Sequence, residues 1–392
     1  MADCHLGSWR QEELQELNFQ SFQKVIERII EEKVDFVLLS GDLFDSAYPP
    51  IEILKKTFYE FRKMREANIP VYLIAGSHDY SASGRTFLDV LEKAGFCENV
   101  EKFKVNDEEK IELIPTIHNN IAIYGYSGKK SSMEIEDLKK IMINNTDYHY
   151  SILMLHTTLS DVITNFEMNS VDKQELPIAD YYAMGHIHQR FNIQERNSYF
   201  VYPGPTYPNN FQELADLREG SFQITEITDK IKTQNIKIPT REIAHLEIEL
   251  TNGLTATEEI IEKIDKLNLI GKIFLLKLKG ILSTGKSGDI RFNEIEEFIK
   301  KKQVYSYLRN ITQLKTKESG IELESGHIEN VEEIEKVIQE EFANENPHDF
   351  NKFLPQLMNS LSIEKNEDEK AVHFEARLID EIKKTLGLDK EI

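Results

Sequence analysis

Five short segments of this chain each carry a metal-type ligand where a strand gives way to a loop. They are Asp3-Cys4-His5, Gly41-Asp42-Leu43-Phe44-Asp45, Gly76-Ser77-His78-Asp79, Leu155-His156 and Gly185-His186-Ile187-His188. Four of them follow or end apolar runs that read as buried strands: VDFVLLS, IPVYLIA, YSILMLH and YYAMG. In an open α/β sheet the C-terminal strand ends converge on one crevice, so ligands far apart in sequence meet in space. That is how a two-metal site is built.

The chemistry accounts for the residue types. Two divalent cations a few ångströms apart need a carboxylate to bridge them, neutral imidazoles to complete each shell, and an open edge for water and a phosphate. Asp42 is the natural bridge. In an extended segment alternate side chains share a side, so the D-x-H and H-x-H spacings turn Asp3 with His5, and His186 with His188, toward the metals. Glycines 41, 76 and 185 let backbone approach closely. The other histidines, His118, His149, His245, His327, His348 and His373, stand in no such context and read as surface or structural.

The ordered set resembles the calcineurin-like metallophosphoesterases: D-x-H, then G-D, G-N-H-D/E, H and G-H-x-H. The wording narrows it. Asp-x-His-Leu-Gly, Gly-Asp-Leu-Phe-Asp followed by Tyr48-Pro49-Pro50, Leu-Met-Leu-His, and Tyr-Ala-Met-Gly-His-Ile-His-Gln-Arg followed by Val201-Tyr202-Pro203-Gly204 are similar to the SbcD-type, or meiotic-recombination-eleven-type, DNA repair nucleases. The resemblance is motif-level over residues 1 to about 210. It implies a two-sheet β-sandwich flanked by helices, with a small α/β capping domain and C-terminal helices, in the α/β (α+β layered) class. It implies two Mn²⁺ per subunit, one held by Asp3, His5, Asp42 and His188, the other by Asp42, the Ser77 position, His156 and His186. His78 would face the scissile phosphate without binding metal, with Asp79 orienting its ring, while a metal-activated hydroxide attacks phosphorus in line.

Two departures from the pattern carry expectations. The family has Asn where this chain has Ser77, and a hydroxyl reaches less far than an amide oxygen, so serine is expected to bind through a water, to bind weakly, or to leave the second site poorly occupied. Family members also carry an apolar strand before D-x-H, where only Met1 and Ala2 stand here. Its loss is expected to leave two neighbouring strands unpaired and Asp3 on a frayed end, as a misplaced start or a truncation would.

With 392 residues and 40% apolar content, the chain has room for two or three domains. It shows no run of eighteen apolar residues and no leader, and Cys4 and Cys97 are too few for a disulfide framework, all of which point to a cytoplasmic protein without a membrane anchor. The net charge of −21 is uneven: residues 271 to 317 hold 11 Lys and Arg against 4 Asp and Glu. That stretch is a candidate DNA-facing surface, or a solvated helix-and-hairpin face.

Periodicity predicts helices over residues 10 to 33, from Pro49-Pro50 to about 67, over 84 to 95 and over 133 to 144, with strands near 111 to 126 and 151 to 156. Strands at 220 to 228 and 231 to 238 read as a hairpin. Then come a strand at 244 to 250, a helix at 255 to 267, a strand at 272 to 279, a helix at 292 to 301 and a strand at 303 to 313. Residues 1–240 are expected to form the nuclease domain, 241–318 the capping, DNA-binding domain, and 331–392 a pair of amphipathic helices from Val331 to Glu345 and Lys370 to Leu386.

The resemblance implies that those helices dock on the coiled coil of an ABC-type ATPase. Packing on the chain's own capping domain is the rival. It also implies a homodimer through helices 50 to 67 and 84 to 95, by way of Leu54, Phe58, Val90 and Leu91. The function so implied is that of a manganese-dependent nuclease subunit in double-strand-break repair, 3′ to 5′ exonuclease on duplex and endonuclease on single strands. The alternatives are another calcineurin-like phosphodiesterase or phosphatase, and a non-catalytic DNA-end-tethering subunit.

Overall fold

The computed structural model describes residues 1–81, 86–144, 148–162, 169–317, 353–361 and 371–386. It divides into two compact units. The first comprises residues 1–249, 255–279 and 290–313, and the second draws its described residues from 250–254, 280–289 and 314 onward.

The first unit is layered. A parallel sheet of Val37–Ser40, Val71–Ile74 and Glu98–Asn99 faces a six-stranded sheet in the order Phe191–Glu195, Ser198–Tyr202, Tyr181–Gly185, Tyr150–His156, Ile121–Tyr126 and Thr116–His118. Tyr150–His156 runs parallel to both its neighbours and is buried on both faces, which is why its sequence is almost uninterruptedly apolar. Ile152 and Met154 turn inward against Tyr72, Ile74 and Val100. Leu153 and Leu155 pack on the opposite face with Tyr124, Tyr182 and Met184.

Helices cover the other face of the three-stranded sheet. Glu12–Glu32 buries Leu14, Leu17, Phe22, Val25, Ile26 and Ile29, one stripe of a 3.6-residue period, and ends where Lys33 turns left-handed. Ile51–Glu66 starts directly after Pro50. Phe87–Lys93 begins with a capping box between Thr86 and Asp89. Their inner faces join Leu39 and Leu73 in one core with Phe22, Phe61 and Met64.

Leu54 and Leu91 belong to that same core, at 6% and 0% exposure. They are therefore not the exposed side chains that the dimer expectation required. Val90, Tyr59 and Ile51 are exposed instead, and Phe58 is half-buried. The expected helix over 133 to 144 is also shorter. It spans Ile135–Leu138, and Ile141–Met142 forms a strand parallel to Ile111–Leu113, because pairing with that strand outweighs a helical pattern of only two turns.

The strands Gly220–Ile227 and Ile231–Ile238 form the antiparallel hairpin that the sequence predicts. The hairpin and the three-stranded sheet are separate sheets, and a cavity of about 690 Å³ lies between Val37 and Leu38 on one side and Phe222 and Ile224 on the other, over Ile152, Tyr181 and Val201. Met1 lines this cavity and bonds the edge of Val37–Ser40, its amino group donating to Leu38 O at 2.8 Å.

Asp3, however, is not frayed. Ser40 N–H donates to Met1 O, Asp3 N–H to Gly41 O at 3.1 Å and His5 N–H to Asp42 O at 3.0 Å, and both side chains are buried. Bonding to Ser40 and to the loop after it fixes this segment.

Beyond the hairpin, Ile243–Glu249, Ile273–Leu282 and Ser306–Thr316 make a three-stranded sheet, with helices Ala256–Asp265 and Phe292–Lys301. Of the eleven cations in residues 271 to 317, six are paired: Lys272 with Glu242, Lys277 and Lys279 with Glu247, Arg291 with Glu258 and Glu294, Lys302 with Asp265, and Arg309 with Glu296. Four acids from outside the stretch, Glu242, Glu247, Glu258 and Asp265, thus offset part of the local excess of charge seen in sequence.

In the second unit, Leu354–Leu361 and Ala371–Thr385 are helices joined by a Ser360–Thr385 hydroxyl contact of 2.9 Å. Leu378 and Ile382 are half-buried there, while Ile379 is exposed. The helix expected from Val331 to Glu345 lies outside the described residues. No helix among the described residues is long and apolar enough to cross a membrane.

Candidate metal centre

The expected ligands gather where Val37–Ser40, Val71–Ile74, Tyr150–His156 and Tyr181–Gly185 end. Asp42 is central. Its Oδ1 accepts the His78 N–H at 2.8 Å, and its Oδ2 lies 3.2 Å from His156 Nε2, 3.5 Å from Ser77 Oγ and 3.6 Å from His5 Nε2. Asp3 Oδ1 accepts the His186 N–H at 2.9 Å and lies 4.0 Å from His188 Nε2. His5 Nε2 and His188 Nε2 are 3.2 Å apart.

Glycine is required at two of the turns. A Cβ on Gly76 would fall 2.2 Å from Asp42 Oδ1, and one on Gly185 would fall 2.0 Å from Ser40 O.

The backbone of the ligands is unusual. Asp3, His5, Asp42 and His186 all have positive φ, at 53°, 42°, 50° and 88°. Left-handed conformations at non-glycine residues cost about 1–3 kcal/mol each and persist where surrounding structure over-determines them. This corrects the expectation for D-x-H: Asp3 and His5 face the centre by left-handed turns, not by alternation along an extended strand.

Three imidazoles are held through Nδ1. His156 bonds Ser40 O, His78 bonds Asp45 O and His188 bonds Glu213 Oε1, each at 2.9 Å. The expected Asp79–His78 contact is absent. Asp79 is buried and its carboxylate accepts three backbone N–H groups, from Leu43, Phe44 and Gly76, at 3.0–3.1 Å. It ties the loop after the first strand to the loop after the second, and Asp45 holds the His78 ring.

Electrostatics follow from burial and crowding. Although burial alone would lower it, the carboxylates of Asp42 and Asp3 raise His156 to about 10. Burial opposes ionisation of Asp42, yet His156 and His5 hold it well below the usual carboxylate range. Burial and the Asp42 charge push Asp79 up to about 7. Burial, reinforced by His156, lowers His186 to about 4 and leaves it neutral.

These residues suit divalent cations. Three sets bring ligand atoms within 4.8 Å of one another: Asp3, His5 and His188; His5, Asp42 and His78; and Asp3, Asp42 and His156. Asp3 Oδ2, His5 Nδ1 and His156 Nε2 are buried without a hydrogen-bond partner, a cost that a cation would offset at Asp3 and His156. His186 stands beside His156, with ring centroids 5.1 Å apart, but outside these sets, and Ser77 reaches only Asp42.

Sequence reasoning missed Glu213 and the role of Asp45. Asp45 was visible at the end of Gly-Asp-Leu-Phe-Asp, whereas Glu213 had only the weak signal of an acid in the first turn of a helix capped by Asn210. Of the remaining histidines, His118 bonds Tyr72 Oη at 3.0 Å, and His149 and His245 pack on Tyr150 and Phe211. His327 and His348 lie outside the described residues, as does the His373 side chain.

A sandwich with carboxylates and imidazoles at its strand ends defines a metal-dependent phosphoesterase, and residues 1–190 match the calcineurin-like phosphoesterase family. The chain is 35% identical over 231 residues to the DNA double-strand break repair protein Mre11 of Methanococcus maripaludis, 56% of this chain and 59% of that protein. It is 30% identical over 293 residues to Mre11 of Methanocaldococcus jannaschii, 70% and 75% of the two chains, and 25% identical to that of Archaeoglobus fulgidus over 94% and 81%. The chain belongs to the calcineurin-like phosphoesterases of the Mre11/SbcD type. Its match spans less than two thirds of the Methanococcus protein's length.

Proposed function

We propose that this chain is the nuclease subunit of a DNA double-strand-break repair complex, with 3′ to 5′ exonuclease activity on duplex and endonuclease activity on single strands. The observation that carries this reading is the convergence of Asp3, His5, Asp42, His156 and His188 on one centre, in a chain related to Mre11 proteins. Asp3, His5, Asp42 and His188 would hold one Mn²⁺, and Asp42, Ser77, His156 and His186 the other. Such cations supply Lewis-acid activation of water and offset phosphate charge.

The chain's own groups do the rest. Asp42 spends one oxygen on the His78 N–H, which sets the His78 backbone against the centre. The His78 ring gives Nδ1–H to Asp45 O and keeps Nε2 free, at 45% side-chain exposure. With a proton also on Nε2, His78 would act as general acid, passing that proton to the leaving oxygen. Residues 1–240 form the nuclease domain, 241–318 cap it toward DNA, and 331–392 bind a coiled-coil ABC-type ATPase. The protein works as a cytoplasmic homodimer through the exposed surface around Val90.

The test is purified protein with Mn²⁺ given linear duplex DNA, circular single strands and bis-p-nitrophenyl phosphate. Cleavage of all three supports the nuclease reading. Hydrolysis of the small ester alone identifies another phosphodiesterase, and DNA binding without cleavage identifies a tethering subunit.

A further inference from the structure

In a metal-binding histidine, the partner of one ring nitrogen decides where the other points. Of the three rings held through Nδ1, those of His156 and His78 meet backbone carbonyls, while His188 meets a carboxylate, Glu213 Oε1, at 2.9 Å. Glu213 is itself fixed from several directions. Its Oε2 accepts Asn209 N–H at 2.7 Å, its Oε1 also accepts Asn210 Nδ2 at 2.6 Å, and its own N–H is capped by Asn210 Oδ1 at 2.9 Å. The helix Phe211–Leu217 is anchored by fully buried Leu214, so the carboxylate comes from a seated element.

We propose that Glu213 is a positioning residue for the metal centre: it holds His188 as the Nδ1–H tautomer, aims Nε2 at the Asp3–His5 side, and thereby sets the affinity of the cation that those three residues bind. This rests on the metal-dependent reading above. His5 has no equivalent support, because its Nδ1 lies 3.3 Å from Asp45 Oδ1 without hydrogen-bond alignment. The opposition of the two Nε2 atoms at 3.2 Å thus depends on the hold that Glu213 has on His188.

The experiment uses the full chain with Glu213→Ala, Glu213→Gln and, as a control for the helix itself, Asn210→Ala. Mn²⁺ affinity is measured by calorimetry, and the His188 tautomer by ring ¹⁵N shifts in metal-free protein. Glu213→Ala should weaken one Mn²⁺ binding event about 10- to 100-fold and leave His188 in mixed tautomers. Glu213→Gln, which keeps an oxygen acceptor, should do less. Asn210→Ala, which removes the helix cap and one hydrogen bond to Glu213 Oε1 but leaves the carboxylate, should lower the melting temperature and disturb the tautomer less than Glu213→Ala does. Unchanged affinity and tautomer in Glu213→Ala, with only the melting temperature lowered, would make Glu213 a helix-end residue and overturn the proposal. Absence of Mn²⁺ binding by the unsubstituted protein would instead sink the metal-dependent reading, and a single unchanged tautomer in metal-free Glu213→Ala would still decide against Glu213.

Discussion

His156 Nε2 stands 3.2 Å from Asp42 Oδ2 without the alignment of a hydrogen bond, while its Nδ1 donates to Ser40 O. The ring is held with its second nitrogen presented to a carboxylate that the side chains of His5 and Ser77 and the His78 N–H share. Such an arrangement is poised for a cation, and in its absence for a proton.

That proton sets a pH dependence. Against the burial that opposes it, the Asp42 and Asp3 charges raise His156 from 6.5 to about 10 in the folded chain. A raised pKa stabilises fully below the unfolded value and loses that stabilisation as pH climbs through the folded one. The metal-free protein should therefore lose melting temperature between about pH 6.5 and pH 10, and His156→Ala should flatten that slope. Mn²⁺ binding at pH 8 should release protons, seen as buffer-dependent heats in calorimetry. Heats independent of buffer would refute this assignment.

Metal content should separate ligands from the acid. His186→Ala and His188→Ala are expected to lower bound Mn²⁺, while His78→Ala keeps both ions and loses turnover. Equal metal loss in His78→Ala would make it a ligand, as its proximity to His5 and Asp42 permits. Ser77→Asn should tighten the second ion, read by titration.

Asp79 should prove structural. Truncation to alanine strands three buried N–H groups, at about 1–3 kcal/mol each, so Asp79→Ala should unfold the chain or lower its melting temperature sharply. A well-folded Asp79→Ala protein with lost activity alone would argue for a role on the His78 ring.

Two substitutions on neighbouring helices should behave oppositely. Leu54→Asp places a charge in the core and should prevent folding, whereas Val90→Asp, at a position 47% exposed, should leave a folded subunit that is monomeric by light scattering and keeps small-ester hydrolysis. A Val90→Asp protein that remains dimeric would move the interface elsewhere.

The cavity between Val37–Ser40 and Gly220–Ile227 should accept a strand. A chain lengthened before Met1 by a short Ile- and Val-rich segment is expected to melt higher, because backbone groups on facing edges gain partners and apolar walls are covered. No change in melting temperature would mean that the edges are already satisfied.

The amino-acid sequence by itself determined the layered α/β class, the strand-to-loop positions of Asp42, Ser77, His156, His186 and His188, and the hairpin of residues 220 to 238. These are short-range signals: an apolar run, a glycine and a ligand stand within a few residues of one another, and the strand period places them. Only the tertiary structure decided the rest. The burial of Leu54 and Leu91 was hidden because an amphipathic stripe looks the same whether it meets its own core or a partner. The task of Asp79 depends on N–H groups from two different loops. The hold of Glu213 on His188 joins a helix to a strand end by a side-chain contact that no periodicity encodes, and the left-handed turns at Asp3 and His5 exist only because the backbone of Gly41 and Asp42 lies beside them.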